Sequence, residues 1–273
     1  MVGVLNRLGL EVSEVRADLS ACHLPAGSVC LVHCSLRGVG RLAEGPATLA
    51  RALKDVLGPR STIVVPAFTA RNSTTTRRFR LLTAGMTAEE VADEETKIEA
   101  FDRDTTPAQD VGAFAEFIRR QPSAVRSNHP QTSFAAVGPA ARALTDGHAL
   151  DCHLGNRSPL GKLYAADAIV LLLGIAAEGF GDVCTCFHLA EHRLPTAAPW
   201  RLYRAYVAEA GSRALREFVA AELDDSDFGR IGAEMAAEAA FVRHGHVGNA
   251  AAIWFPLRAA VDFAATWMAR CRS

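Results

Sequence analysis

His188 and Glu191 stand three residues apart in the stretch Thr185-Cys186-Phe187-His188-Leu189-Ala190-Glu191. On a helix that spacing puts both side chains on one face, close enough to meet. A carboxylate beside an imidazole fixes its tautomer and stabilises the imidazolium, which is what a general base requires. The same spacing also describes an ordinary surface ion pair, so the surroundings decide what the pair means. Upstream, Ala168 to Ile175 is apolar but for Gly174 and reads as a buried strand. Gly179, Gly181 and Asp182 then break the chain, and a helix is expected from about Thr185. The order is strand, turn, helix, with the histidine in the first helical turns.

The totals narrow the classes. With 273 residues, 49% hydrophobic and 22% charged, the chain can bury a full core without staples. A net charge of −1 lacks the basic excess of a nucleic-acid binder. No apolar run approaches the roughly 20 residues of a membrane helix. Met1 to Val15 mixes Arg, Glu and apolar residues, without the core of a signal peptide. The 7 cysteines, an odd count in no paired spacing, read as reduced thiols of a cytoplasmic protein. Cys184, Cys186 and His188 make a poor zinc set, because alternate helical positions do not converge on one ion, and no metal is expected.

Along the chain, Val4 to Leu19 reads as a short amphipathic helix and Val29 to Val32 as a buried strand. That strand runs into His33-Cys34-Ser35-Leu36-Arg37-Gly38-Val39-Gly40, and a helix starts near Pro46, where proline suits the first turn. A small-residue loop between strand and helix offers N–H groups that suit a phosphate, although the Walker and dinucleotide glycine spacings are absent. Ser61 to Pro66 is a second strand, so a parallel βαβ unit opens the chain. Residues 71–100 are long for a connection and read as a lid over a site, its first part an exposed loop, with a capping box at Thr87 and Glu90. A helix from Val111 to Arg120, a strand from Ser133 to Val137 and a helix from Pro139 to Leu144 follow. Trp200 to Val207 and Ser212 to Val219 read as an antiparallel hairpin about Gly211. Residues 200–256 form a C-terminal α/β extension, with a turn at His244 to Ala250, a strand near Ile253 and a terminal helix over Ala259 to Arg270. The expected fold is one α/β domain over residues 1–273, a largely parallel sheet flanked by helices with antiparallel strands added at the C-terminal end.

The ordered motifs His-Cys-Ser-Leu-Arg, Val-Pro-Ala-Phe-Thr, Phe-Asp, Arg-Ser-Asn-His-Pro-Gln-Thr-Ser-Phe, Ser-Pro, Leu-Leu-Gly and Thr-x-x-His-x-x-Glu resemble the aminoglycoside 3-N-acetyltransferases, from about Gly27 to Met268. The resemblance implies acetyl-coenzyme A as co-substrate. It implies that Cys34, Ser35, Leu36, Arg37 and Gly40 carry the coenzyme A phosphates and pantetheine. It sets Ala67, Phe68, Thr69, Arg126 and Ser127 beside the same channel. His188 matches the family's catalytic histidine, Glu191 its acidic neighbour, and Asp182 a residue facing the site. His129 is a second candidate for a substrate contact, ranked below His188 because the family also places Asn there. The family often carries Ser-Ser where this chain has Cys34-Ser35, which raises Cys34 as a nucleophile, although direct transfer needs no covalent intermediate.

The expected chemistry is acetylation of the 3-amino group of an aminoglycoside antibiotic, an antibiotic-resistance reaction, with His188 taking the amine proton and Glu191 orienting the ring. Asp102, Asp182, Asp224 and Asp225 would attract a polycationic aminosugar; the acidic run at 224–227 reads equally as a solvated turn and helix cap. Two alternatives stay open: acylation of another amine in biosynthesis, and a coenzyme A- or antibiotic-binding protein without catalysis. A Gly-x-Ser-x-Gly hydrolase elbow is absent. The partner is a small-molecule amine, with no nucleic acid and no membrane, in a monomer or homodimer.

Overall fold

A computed structural model describes residues 9–175, 180–194 and 199–272, the Asp182 side chain excepted. The expected helix start at Val4 and the break at Gly179 lie outside the described residues. The first half runs α1 (Val12–Ala21), β1 (Val29–Cys34), α2 (Leu36–Val39), α3 (Pro46–Leu57), β2 (Thr62–Pro66), α4 (Arg77–Leu82), α5 (Ala88–Thr96), α6 (Ala113–Arg119), β3 (Val125–Arg126) and β4 (Phe134–Val137). It continues through α7 (Ala141–Thr145), α8 (Pro159–Ala165), β5 (Ile169–Leu173), a 3-10 turn (Gly181–Val183) and α9 (Phe187–Glu191). The last part is β6 (Trp200–Glu209), β7 (Ser212–Ala221), α10 (Phe228–Glu238), β8 (Arg243–Val247), β9 (Ala250–Pro256) and α11 (Leu257–Cys271).

A 7-stranded sheet has the order β3-β4-β2-β1-β5-β9-β8. The α/β class and the separate β6-β7 hairpin are as expected, but the parallel part is narrower than expected. Within this sheet, among the described residues, only β1 pairs in parallel, with β2 and with β5, and the remaining pairs are antiparallel. The supposed turn at His244 is strand β8, paired with β9.

Side chains alternate across the sheet, and each face has its own core. Cys30, Val32, Val65 and Leu171 face the side covered by α1, α3 and α6, where Leu19, Leu53 and Phe114 are buried. Leu31, Val64, Val170 and Leu172 face the side covered by α8 to α11. The local signals are conventional. Pro46 opens α3, and Leu49, Ala52, Leu53 and Leu57 bury one stripe of it. Thr87 and Glu90 form the expected capping box of α5.

Residues 71–100 are not all loop. They include α4 and α5, and Phe79 and Ile98 pack on Tyr206 of the hairpin. Backbone bonds from Tyr206 N to Asn72 O and from Phe101 N to Tyr206 O fix both ends of the segment to β6.

Helix α10 crosses the 3-10 turn at backbone contact. A Cβ at Gly232 would lie 2.7 Å from Gly181 Cα. That turn leads directly into α9, so Gly232 sets the approach of the segment that carries His188. Gly232→Ala is expected to lower stability by about 1 kcal/mol or more, because overpacking against backbone outweighs a helix-propensity gain of about 1 kcal/mol. Urea unfolding checks it; an unchanged or higher midpoint would contradict the contact.

Candidate functional site

Helix α9 is five residues long and anchored by Phe187, Leu189 and Ala190, all fully buried. This leaves His188 and Glu191 on the other face, as their spacing predicts. His188 Nδ1 donates to Glu191 Oε2 at 2.7 Å. Glu191 is only 4% exposed. Its Oε1 accepts from Asp224 N at 2.9 Å and from Arg272 Nη1 at 2.7 Å. The imidazole packs against the Phe228 ring, 4.7 Å between centroids. Nε2 is thus the ring nitrogen left for other chemistry.

Two cavities meet at this histidine. The larger, about 620 Å³, is bounded by His33 to Arg37, Pro66, Val183 to Thr185, Asp225 and Phe228. Most of its wall comes from the loops that follow β1, β2 and β5, at the carboxyl ends of the parallel strands where α/β sheets bind ligands. The smaller, about 400 Å³, is bounded by Thr69, Thr76, Gln131, Thr132, His153, Tyr203 and Leu223. His188, Phe68, Asp110 and Val111 line both.

The larger cavity joins a charge to an apolar wall. Arg37 brings a cation, and Leu36, Phe68, Val111 and Ile175 bring apolar wall. The first-turn N–H groups of α2 are fewer than expected, because Ser35 N donates to Leu173 O at 2.8 Å. Burial pushes the Cys34 thiol up to about 12, so it is protonated at neutral pH and unsuited to nucleophilic attack. Burial holds His33 down at about 4, hence neutral; its Nε2 lies 3.3 Å from Thr185 Oγ1. Among the described residues no three His, Cys, Asp or Glu side chains converge as a metal site.

Of the residues singled out in the sequence, Cys34, Ser35, Leu36, Arg37, Phe68, Thr69, His188 and Asp225 lie on these walls, with Glu191 behind His188. Others do not. Arg126 is buried and braces the fold: Nη2 donates to Ala67 O at 2.6 Å, Nε to Ser133 Oγ at 2.9 Å, and Nη1 to Thr106 O. Ala67 is buried beneath the wall. Ser127 is also buried; its Oγ accepts from Phe134 N and meets His148 Nδ1 at 3.0 Å. Gly40, at φ 101°, lies against Asn249. Asp102 closes a local turn, its Oδ1 accepting from the Thr105 and Asp104 amides. Asp224 contributes its backbone N–H to Glu191, and its Oδ1 accepts from Ser226 N. The Asp182 side chain lies outside the described residues.

His129 is a core residue rather than a substrate contact. It is fully buried, donates from Nε2 to Leu150 O and accepts at Nδ1 from the Gln131 and Thr132 amides. Its ring lies 4.6 Å from His148 and 4.7 Å from His153. Burial keeps this cluster neutral: His148 is pulled to about 4, His153 to about 3, and His129 well below the usual value, with repulsion from neighbouring rings adding to the effect at His129 and His153. His153 reaches the smaller cavity, with its Nε2 buried and without a hydrogen-bond partner.

Sequence reasoning missed Asp110, Gln131, His153 and Tyr203. Asp110 has φ 58°, which a non-glycine residue adopts only at some cost; its position before Gly112 in a loop opened by Pro107 was the available signal.

Such an architecture defines an α/β protein whose larger cavity opens where parallel strands end. The chain belongs to the aminoglycoside 3-N-acetyltransferase family, whose profile matches residues 31–269. It is 34% identical over 255 residues to the SPbeta prophage-derived aminoglycoside N(3')-acetyltransferase-like protein YokD of Bacillus subtilis, covering 93% of this chain and 90% of that one. The YokD crystal structure superposes with a TM-score of 0.87 over 97% of this chain and 95% of that one, at 32% identity. Aminoglycoside N(3)-acetyltransferase VII of Streptomyces paromomycinus is 34% identical, covering 98% and 95% of the two chains. The binary complex of AAC-IIIb with CoASH matches at 29% identity with a TM-score of 0.79, covering 96% and 97%. Among the described residues no helix is long and apolar enough to cross a membrane.

The buried histidines make stability depend on pH. Their folded-state values lie below the unfolded value near 6.5, so the unfolded chain binds more protons as pH falls. The stability they allow is complete above about pH 7 and is lost as pH drops toward their folded values. Urea unfolding at pH 5.0 should show at least about 2 kcal/mol less stability than at pH 7.5. Equal midpoints would mean that the rings are protonated, or accessible, in the fold.

Proposed function

We propose that the chain is an acetyl-coenzyme A-dependent N-acetyltransferase that acetylates the 3-amino group of an aminoglycoside by direct transfer, with His188 as general base. The observation that carries this reading is the position of the Glu191-backed imidazole on the wall shared by two cavities. The larger cavity takes acetyl-coenzyme A, with Arg37 facing phosphate and the apolar wall facing pantetheine. When bound, the thioester supplies an activated acetyl group. The smaller cavity takes the amine. His188 Nε2 accepts the amine proton as the N–C bond forms and the C–S bond breaks, and returns a proton to the departing sulfur. Glu191 holds the ring by Nδ1 and offsets its transient charge. Asp110 offers a carboxylate to a cationic acceptor. Residues 71–100 serve as a lid, and residues 200–256 as an extension that closes the acceptor side through Tyr203 and Leu223, in a cytoplasmic protein.

A second reading keeps the chemistry and changes the acceptor. Phe68, Val111, Leu154, Tyr203 and Leu223 line the smaller cavity, and Asp110 is its one carboxylate among the described residues. That wall suits an amine with fewer charges and an apolar body, as a biosynthetic substrate would be.

The test is acetylation by wild type, His188→Ala and Glu191→Ala proteins whose coenzyme A binding is measured separately. Loss of His188 should lower kcat about 10²- to 10⁴-fold with cofactor affinity retained. Near-normal turnover would remove it as base. Mass spectrometry should show one acetyl group added at the 3-amine of an aminoglycoside. Acetylation of apolar monoamines alone, across a mixed panel, would favour the second reading.

A further inference from the structure

Glu191 is held from behind by a residue some 80 positions away. Arg272 follows α11, and its guanidinium meets three groups. Nη1 donates to Glu191 Oε1 at 2.7 Å, Nη2 to Asp224 O at 2.7 Å, and Nε to Asp227 Oδ2 at 2.7 Å, while Nη2 also reaches Asp227 Oδ1. Asp224 N closes the ring of contacts on the same Glu191 oxygen. The bonds to Asp227, then those to Glu191, hold the guanidinium above its usual value, so it is a permanent cation here. The outcome is one line of alternating charge and donor: imidazole, Glu191, Arg272, Asp227. It joins α9, the end of α11 and the turn that opens α10, whose first residue, Phe228, packs on the His188 ring.

We infer that Arg272 is a positioning residue for the transfer reaction: it fixes the Glu191 carboxylate in the rotamer that holds His188 Nδ1, and ties the acidic 224–227 turn to the same carboxylate. This rests on the reading of His188 as base. The physical reason is the burial of Glu191. A carboxylate that is 4% exposed needs donors on both oxygens, and His188 satisfies only one of them. Without Arg272, Oε1 keeps the Asp224 amide alone, and that amide sits on a turn that Arg272 itself holds. Glu191 is then free to rotate toward solvent, which releases the imidazole from its tautomer. A positioning role differs from simple anchoring of α11, because its effect passes through Glu191.

The experiment compares Arg272→Ala, Arg272→Lys and Asp227→Asn, each alone and with Glu191→Ala, in the full chain. Concentrations are normalised to coenzyme A-binding sites, so misfolded protein does not count. Arg272→Ala should lower kcat at least about 10-fold while KM for the amine changes less than about 3-fold. Arg272→Lys should recover part of the loss, and Asp227→Asn should show a smaller loss. In the Glu191→Ala background, Arg272→Ala should cost no further turnover, the non-additivity of groups that act as a unit. A readout that needs no acceptor runs in parallel: the His188 Nδ1–H proton signal should be sharp and downfield in wild type and broadened in Arg272→Ala. Full additivity with Glu191→Ala, or an Arg272→Ala protein with normal kcat and an intact Nδ1–H signal, would overturn the inference. If wild type acetylates no amine in the panel, the proposed function fails. The His188 signal then decides the coupling alone, supporting it if broadened and overturning it if unchanged.

Discussion

A buried carboxylate has to be surrounded by donors or it will not stay charged. Glu191 meets that condition through His188 Nδ1, the Asp224 amide and Arg272. Much else in the structure serves this arrangement. Phe187, Leu189 and Ala190 sink α9 into the core so that the other face carries the pair. Gly181 and Gly232 let α10 approach closely enough to set Phe228 on the imidazole. The length of α11 brings Arg272 to the back of Glu191.

The sheet supplies the second constraint. With β2 and β5 both parallel to β1, three strand ends point the same way and their loops open on one side. Of the antiparallel flanks, the β3-β4 loop opens on the same side and brings Gln131 and Thr132 to the smaller cavity. The β6-β7 hairpin stands apart from the sheet and, with residues 71–100 fixed to it, forms the far wall of the smaller cavity. His188 therefore sits at the seam between the sheet end and an appended hairpin. This division of labour matches a reaction that brings together a long thioester and a separate amine.

How much of this the sequence disclosed follows from the range of each interaction. The His188-Glu191 pair is local, so three-residue spacing was enough. The apolar runs of β1, β2 and β5 announced buried strands, and Thr87 with Glu90 announced a cap. Strand β8 did not read as a strand, because Arg243, His244 and His246 are the polar residues of a sheet edge. Arg126 reads the same whether it faces phosphate or three protein oxygens, and only the fold shows which. His129 reads as a polar contact until His148 and His153 are seen against it. Arg272 lies 81 residues from Glu191, beyond any local pattern. Asp110 owes its place on both cavity walls to a left-handed backbone, which only its position between Pro107 and Gly112 hints at.

In the proposed reaction one imidazole serves two cavities, a thioester in one and an amine in the other. A crystal structure of the chain with coenzyme A tests it most directly. The pantetheine arm is expected in the larger cavity, between Arg37 and Phe228, with its sulfur facing His188 Nε2 and the smaller cavity still open beside it. Coenzyme A bound elsewhere, or a thiol pointing away from His188, would contradict it.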